Sequence, residues 1–323
     1  MDKALNFIKR LQLPKFAQEI KNFNSITTIE NDYISLTIIG NENKDTNSTI
    51  FKYCDQAYTY LCNKFYEGTY KPLRILLIMH EDKRTLPPIK RHPIDTCHIN
   101  GGLCIFRPQM EYDILVYRKE DCIKVLVHEI IHFFEIDGHD KYNSEHERAF
   151  QTDMKIESTI HLGWFEAVTE TYALYILCEL GYYNRDKITN QILDLARNYI
   201  NHFENGNEPI QYYENTHAFM YIIGRVALWC NNCKKPNSNL LELIDNRDVY
   251  SEKVLKIISD KYPEIIKHIK TVRTKSPNPK SLRVDYRGGG KNKRQKQKCV
   301  TPHTSACSLN GSQWCAASRT LWD

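Results

Sequence analysis

Apolar positions along the chain follow two different periods, and the change from one to the other divides it. Near the start, Leu5, Ile8 and Leu11 recur at helical spacing. "YISLTIIG" is rich in β-branched residues and reads as a strand, residues 50–66 form a mixed helical stretch, and "LRILLIM" reads as a buried strand. In "CHINGGLCIFR", Asn100 and Gly101 between apolar residues signal a tight hairpin, and "YDILVY" is a further short strand. From Trp164 onward the period becomes helical, through "NQILDLARNYI", "HAFMYIIGRVALW" and "VLKIISDKYPEIIKHIK". The expected fold class is therefore α+β, with a sheet-containing N-terminal lobe over residues 1–162 and a helical C-terminal lobe over 163–274. A cleft between two such lobes is the natural place for a substrate. From about Lys275 the chain becomes polar and basic, so residues 275–323 read as a flexible tail.

The segment "IKVLVHEIIHFFEIDGHD", residues 123–140, carries the chemistry. Val125, Leu126, Val127, Ile130, Ile131, Phe133 and Phe134 are apolar nearly all round, as in a buried helix. Positions four apart share a helix face, so His128 and His132 can aim their imidazoles at one ion. Glu129, beside the first histidine, can reach a water on that ion without ligating it. This H-E-x-x-H arrangement suits a zinc-polarised water with a carboxylate as general base. The bland alternative is a core helix whose two histidines are satisfied by backbone carbonyls.

A catalytic zinc keeps three protein ligands and one open position. Downstream, "GWFEAVTETYALY" offers Glu166 and Glu170 one turn apart on an apolar helix. Two carboxylates on a buried face are unfavourable unless paired or bound to a cation. Glu166 can complete the ligand set while Glu170 accepts a hydrogen bond from the far nitrogen of a ligating histidine.

The combination of "HEIIH" with a later helical "WFEAVTE" resembles the gluzincin class of zinc metallopeptidases. The resemblance implies a zincin-like fold, one catalytic Zn2+ held by His128, His132 and Glu166, Glu129 as general base and Glu170 behind the ligands. It covers about 45 residues. The spacing between the two motif helices is longer than in the best-known members and implies an insertion over residues 137–162, a lid or a solvated loop. The family also runs an edge strand past the metal, a part that "GGLCIFR" or "YDILVY" can play. A rival scheme resembles metzincin sites, with His139 as third ligand. It needs a glycine where this chain has Glu135, and its register is off by one.

An oxyanion needs a donor beside the metal. In "QYYENTHAFMYIIGRVALW", His217, Tyr221 and Arg225 lie on one helical row, so His217 and Tyr221 are the candidates, with Tyr212 and Tyr213 behind them. The expected function is peptide hydrolysis by a metal-activated water, with a peptide or protein as partner. The alternative is an inactive zincin-fold scaffold that acts through its basic tail on nucleic acid or another polyanion.

Remaining signals narrow the setting. The net charge of +5 comes with eleven cysteines in no regular framework, which fits free thiols in a reducing compartment. The expectation is an intracellular, cytoplasmic protein without signal peptide or transmembrane segment. Cys230 and Cys233 have the spacing of half a zinc ribbon, with no second pair at a normal distance. The glycine-then-basic tail and the composition resemble proteins of large DNA viruses, which places the cytoplasm in an infected host cell. The last 25 residues contain no Lys, Ile, Tyr or Glu and read as foreign to the fold.

Overall fold

The structure is a computed structural model that describes residues 1–229 and 238–271, apart from residues 12, 14–16, 19, 106, 108, 142 and 207. The Cys230/Cys233 pair and the basic tail lie outside the described residues. Within them the chain is mixed α and β, as the two apolar periods require.

A five-stranded sheet forms first. Its strands are β1 (Ile26–Glu30), β2 (Ile34–Ile39), β3 (Leu73–Ile78), β5 (Gly102–Cys104) and β6 (Ile114–Val116), in the order β1-β2-β3-β6-β5. β2, β3 and β6 are parallel, and the two outer strands are antiparallel to their neighbours. The parallel strands read as continuous apolar runs because both faces are covered. Ile75 and Leu77 of β3 point into the main core, under helices α2 (Lys44–Phe65) and α4 (Cys122–Phe133). Leu76 and Ile78 point the other way, onto Phe7 and Ile8 of α1 (Asp2–Arg10). A slip of one residue in register would exchange these two faces.

The main core continues without interruption into the C-terminal helices. These are α6 (Trp164–Glu179), α7 (Arg185–Phe203), α8 (Arg225–Trp229), α9 (Ser238–Asp245) and α10 (Ser251–Thr271). Two short parallel strands, β4 (Ile94–Asp95) and β7 (Ile156–Ser158), flank β8 (Tyr212–Asn215) in a second sheet. The six described cysteines, Cys54, Cys62, Cys97, Cys104, Cys122 and Cys178, are free thiols. Among the described residues no helix is long and apolar enough to cross a membrane.

Two details differ from the sequence-based expectations. Asn100 and Gly101 do not turn a hairpin: they follow the short helix α3 (Thr96–Ile99), and the β5–β6 pair is closed by residues 105–113 instead. Arg118 accounts for this, donating from Nε to the Asn100 carbonyl at 2.7 Å and from Nη2 to the Cys97 carbonyl at 2.6 Å. The presumed insertion over 137–162 is not a bare loop. It contains α5 (Ser144–Asp153) and β7, and buried Glu147 of α5 accepts from the backbone N–H of Leu162 and Trp164 at 3.2 and 3.3 Å.

β8 leads into a wide π-helical turn, Met220–Gly224, that runs on into α8. Buried Glu214, next to last in that strand, caps the turn, accepting from the Phe219 N–H at 2.7 Å and the Tyr199 hydroxyl at 3.3 Å. Burial pushes its carboxyl up to about 8 from an ordinary 4.5. The folded chain therefore keeps a proton that the unfolded chain gives up, and folding stability falls as pH rises from about 4.5 to 8. The slope is on the order of 1 kcal/mol per pH unit. Glu214→Gln, which cannot ionise, should flatten it, so that denaturation midpoints of parent and variant converge or cross on going from pH 5 to 8. Parallel profiles would show that Glu214 ionises freely in the folded state.

Candidate metal centre

Helix α4 is buried from Cys122 to His132, and α6 packs across it as a second, mostly buried helix. Each carries polar groups that apolar surroundings would normally reject. They meet at one point: His128 Nε2 and His132 Nε2 are 3.0 Å apart, and Glu166 Oε2 lies 3.0 Å from the first and 3.3 Å from the second. Ligands about 2.0–2.1 Å from a tetrahedral ion stand roughly 3.3 Å from one another. The triangle therefore has nearly the size of one face of such a coordination shell.

The far nitrogens decide what occupies that face. His132 Nδ1 lies 2.5 Å from Asp137 Oδ2 and His128 Nδ1 lies 3.3 Å from Glu170 Oε1. Asp137 favours a proton on His132 Nδ1 by a hydrogen bond, and Glu170 favours one on His128 Nδ1 by its charge alone, which leaves the two Nε2 lone pairs facing each other and a carboxylate oxygen. Three acceptors then converge with no hydrogen between them. Glu166 Oε2 is buried without a hydrogen-bond donor. Only a proton or a cation relieves this. Burial disfavours an imidazolium, yet Asp137 and Glu166 together raise His132 well above its usual pKa. Burial opposes ionisation of Glu166 as well, and the two imidazoles still hold its carboxyl far below the ordinary range. His128, His132 and Glu166 are thus positioned to bind a metal ion.

Glu129 stands beside this face and is not part of it. Burial pushes its carboxyl up to about 7. The outer strand β5 runs against it: a Cβ on Gly102 would come within 2.9 Å of Glu129 Oε1 and 2.8 Å of Val125 Cγ1. Only glycine lets the backbone approach the carboxylate this closely.

Glu170 lies behind His128, its Oε1 3.3 Å from Nδ1 without the hydrogen bond that the sequence led one to expect, within a network that sequence reasoning missed in part. Lys124 Nζ donates to Glu170 Oε1 at 2.5 Å and Arg225 Nη1 to Oε2 at 2.9 Å. Burial alone would raise the Glu170 carboxyl, but Lys124, His128 and Arg225 hold it well below the usual range. Asp137 was missed altogether. It is fully buried, it holds His132, and it also accepts from Thr169 Oγ1 at 3.0 Å. The available signal was an acidic residue one turn beyond the second histidine, just before Gly138 at φ +75°.

The rival ligand His139 binds the outer oxygen of Asp137 instead, with Nδ1 2.9 Å from Oδ1. It stands behind Asp137, and the Nε2 face of the two motif histidines is completed by Glu166. Tyr221 comes to the site, with its ring 5.8 Å from that of His128 and its hydroxyl against Glu166. Burial and then Glu166 raise its phenol well above the ordinary value, so it remains a proton donor. His217 is one step further out, 6.3 Å from the Tyr221 ring, with Nδ1 3.1 Å from the Leu162 carbonyl. Because a carbonyl only accepts, Nδ1 carries a proton. Gly163, at φ +64°, makes room for that ring: a Cβ there would lie 2.5 Å from His217 Nδ1. Tyr212 is buried elsewhere, with its hydroxyl 2.8 Å from that of Tyr262.

No family model matches the chain, and neither a curated protein nor a solved structure does.

If Asp137 fixes the tautomer of a ligand, Asp137→Ala should weaken zinc or cobalt binding by about 10- to 100-fold without abolishing it. Glu166→Ala should lose far more, and His139→Ala should stay within a few-fold of the parent. Equilibrium dialysis on the purified variants measures this. A loss in His139→Ala that exceeded the loss in Glu166→Ala would assign the metal to the rival set.

Proposed function

We propose that this chain is a zinc-dependent metallopeptidase of the gluzincin type, built on a zincin-like fold. The observation that carries the reading is the convergence of His128 Nε2, His132 Nε2 and Glu166 Oε2, with edges of 3.0 to 3.3 Å, beside a carboxyl that does not join them. Two imidazoles and one carboxylate form a donor set that suits zinc with an open fourth position. Zinc held there would supply a Lewis acid that polarises water and the scissile carbonyl.

The protein's own residues do the rest. Glu129, poised by burial near 7, takes the proton of the attacking water and hands it to the leaving amine. Tyr221 donates its hydroxyl to the oxyanion that develops on the carbonyl. His217, packed against Tyr221 and bonded to the Leu162 carbonyl, supports Tyr221 and the entry to the α6 helix. β5 is the last strand of its sheet, so its free edge can take up a peptide backbone as an added strand next to Glu129. In this reading residues 1–162 and 163–274 are two lobes on either side of the site. The first contributes both histidines and Glu129, and the second contributes Glu166 and Tyr221.

Glu129→Gln should keep zinc and lose peptide hydrolysis, while Tyr221→Phe should lower kcat by about 10²-fold with little change in KM. Zinc content and steady-state kinetics on a quenched peptide mixture read both. Parent-like cleavage by Glu129→Gln would remove the general base from the scheme.

A further inference from the structure

Tyr221 stands in the π-helical turn Met220–Gly224, a bonding pattern that is rare within helices and frequent at functional sites. Such a turn departs from the regular helical spacing, so the direction of Tyr221 depends on what holds the two ends. One end is seated by Gly224: a Cβ there would come within 2.8 Å of that of Ala167, the residue after Glu166 on α6. The other end follows a corner, residues 214–217, in which four successive side chains reach separate parts of the fold. Glu214 accepts from the backbone N–H of Ala218 and Phe219 and from Tyr199 of α7. Asn215 donates to Asp95 Oδ1 at 2.9 Å, at the end of β4, and accepts from Thr159 Oγ1 at 2.8 Å, just past β7. Thr216 is fully buried and donates from Oγ1 to Asn100 Oδ1 at 3.1 Å. His217 Nδ1 donates to the Leu162 carbonyl ahead of α6.

Of these four pins, the one from Thr216 leads into the site. Asn100 lines the same pocket as Glu129 and Tyr221, and it is followed directly by Gly101 and Gly102, whose backbone lies against Val125 and Glu129. Asn100 is itself held, its carbonyl accepting from Arg118 Nε at 2.7 Å. A buried hydroxyl is unfavourable without a partner, and the partner here belongs to the approach to β5. We propose that Thr216 is a positioning residue: through Asn100 it locks the turn that carries Tyr221 to the strand that presents the substrate backbone. The donor hydroxyl and the carbonyl it meets are then held in one frame. A displacement of about 1 Å between such groups costs up to about 10²-fold in rate, which is the reason for fixing them together. The inference rests on the peptidase reading and adds to it the bond that sets the oxyanion donor.

Thr216→Val removes the hydroxyl and keeps the shape, whereas Thr216→Ser keeps the hydroxyl. On the zinc-loaded protein and a quenched peptide mixture, Thr216→Val should lower kcat about tenfold with little change in KM, and Thr216→Ser should stay close to the parent. In a Tyr221→Phe background, Thr216→Val should cost less than about twofold more, because the group it positions is already gone. NMR on protein with isotopically labelled tyrosine rings gives a second readout that needs no turnover. The Tyr221 resonance, identified by its loss in Tyr221→Phe, should move in Thr216→Val and stay in place in Thr216→Ser. If Thr216→Val does not fold, Asn100→Ala breaks the same bond from the other side and takes its place in the resonance test. A double variant whose kcat falls by the product of the two single losses overturns the proposal, and so does an unmoved Tyr221 resonance in a folded variant that lacks the bond. If the zinc-loaded parent cleaves no peptide, the peptidase reading fails, and the resonance alone decides whether Thr216 sets the place of Tyr221.

Discussion

Two imidazole lone pairs and one carboxylate oxygen pointed at the same spot, inside an apolar core, repel one another unless something positive lies between them. Most of what is unusual about this protein follows from keeping that arrangement in place. The repulsion is not an incidental contact on a flexible surface. Both helices that carry the groups are buried, and each of the two histidines is backed by a carboxylate. Asp137, hydrogen-bonded behind His132, and the charge of Glu170 behind His128 favour protons on the far side of each ring. The near side is thereby left as bare acceptor.

Those backing carboxylates create their own burial problem, and the chain solves each one differently. Asp137 is satisfied by Thr169 and His139 together with His132. Glu170 draws on two full cations, Lys124 and Arg225, which brings more donor capacity into the interior than Glu170 can use. Lys124, Arg225 and Glu170 line the pocket beside Glu129 together with Arg84 and Asp121. The support of a metal ligand and the character of the adjoining pocket are thus two consequences of the same pair of residues. Glu129 sits between them, in contact with neither Lys124 nor Arg225 by a hydrogen bond and with a carboxyl that burial pushes up to about 7.

Much of the metal face was legible in the sequence because helical periodicity converts spacing directly into geometry. His128 and His132, and separately Glu166 and Glu170, had to share a helix face, and buried carboxylates had to find partners. The alternation of Leu76 and Ile78 with Ile75 and Leu77 likewise fixed two packed sheet faces. What escaped was everything set by long-range contact. Asp137 looked like the first residue of a loop, since its role depends on where the chain turns back after α4. Asn100 and Gly101 carried a strong local hairpin signal that Arg118, eighteen positions away, overrides through the Asn100 carbonyl. Arg84 belongs to no motif and reaches the pocket only through the tertiary fold.

X-ray absorption at the zinc edge, on protein loaded with one equivalent of zinc, reads the ligand set itself. The expected spectrum has a single shell of about four nitrogen or oxygen neighbours at roughly 2.0–2.1 Å, two of them with the multiple-scattering pattern of imidazole. Glu166→Ala should lose one neighbour from that shell or lose the zinc itself. A sulfur shell at about 2.3 Å, or a third imidazole in place of the carboxylate, would contradict the assignment of His128, His132 and Glu166 as the ligands.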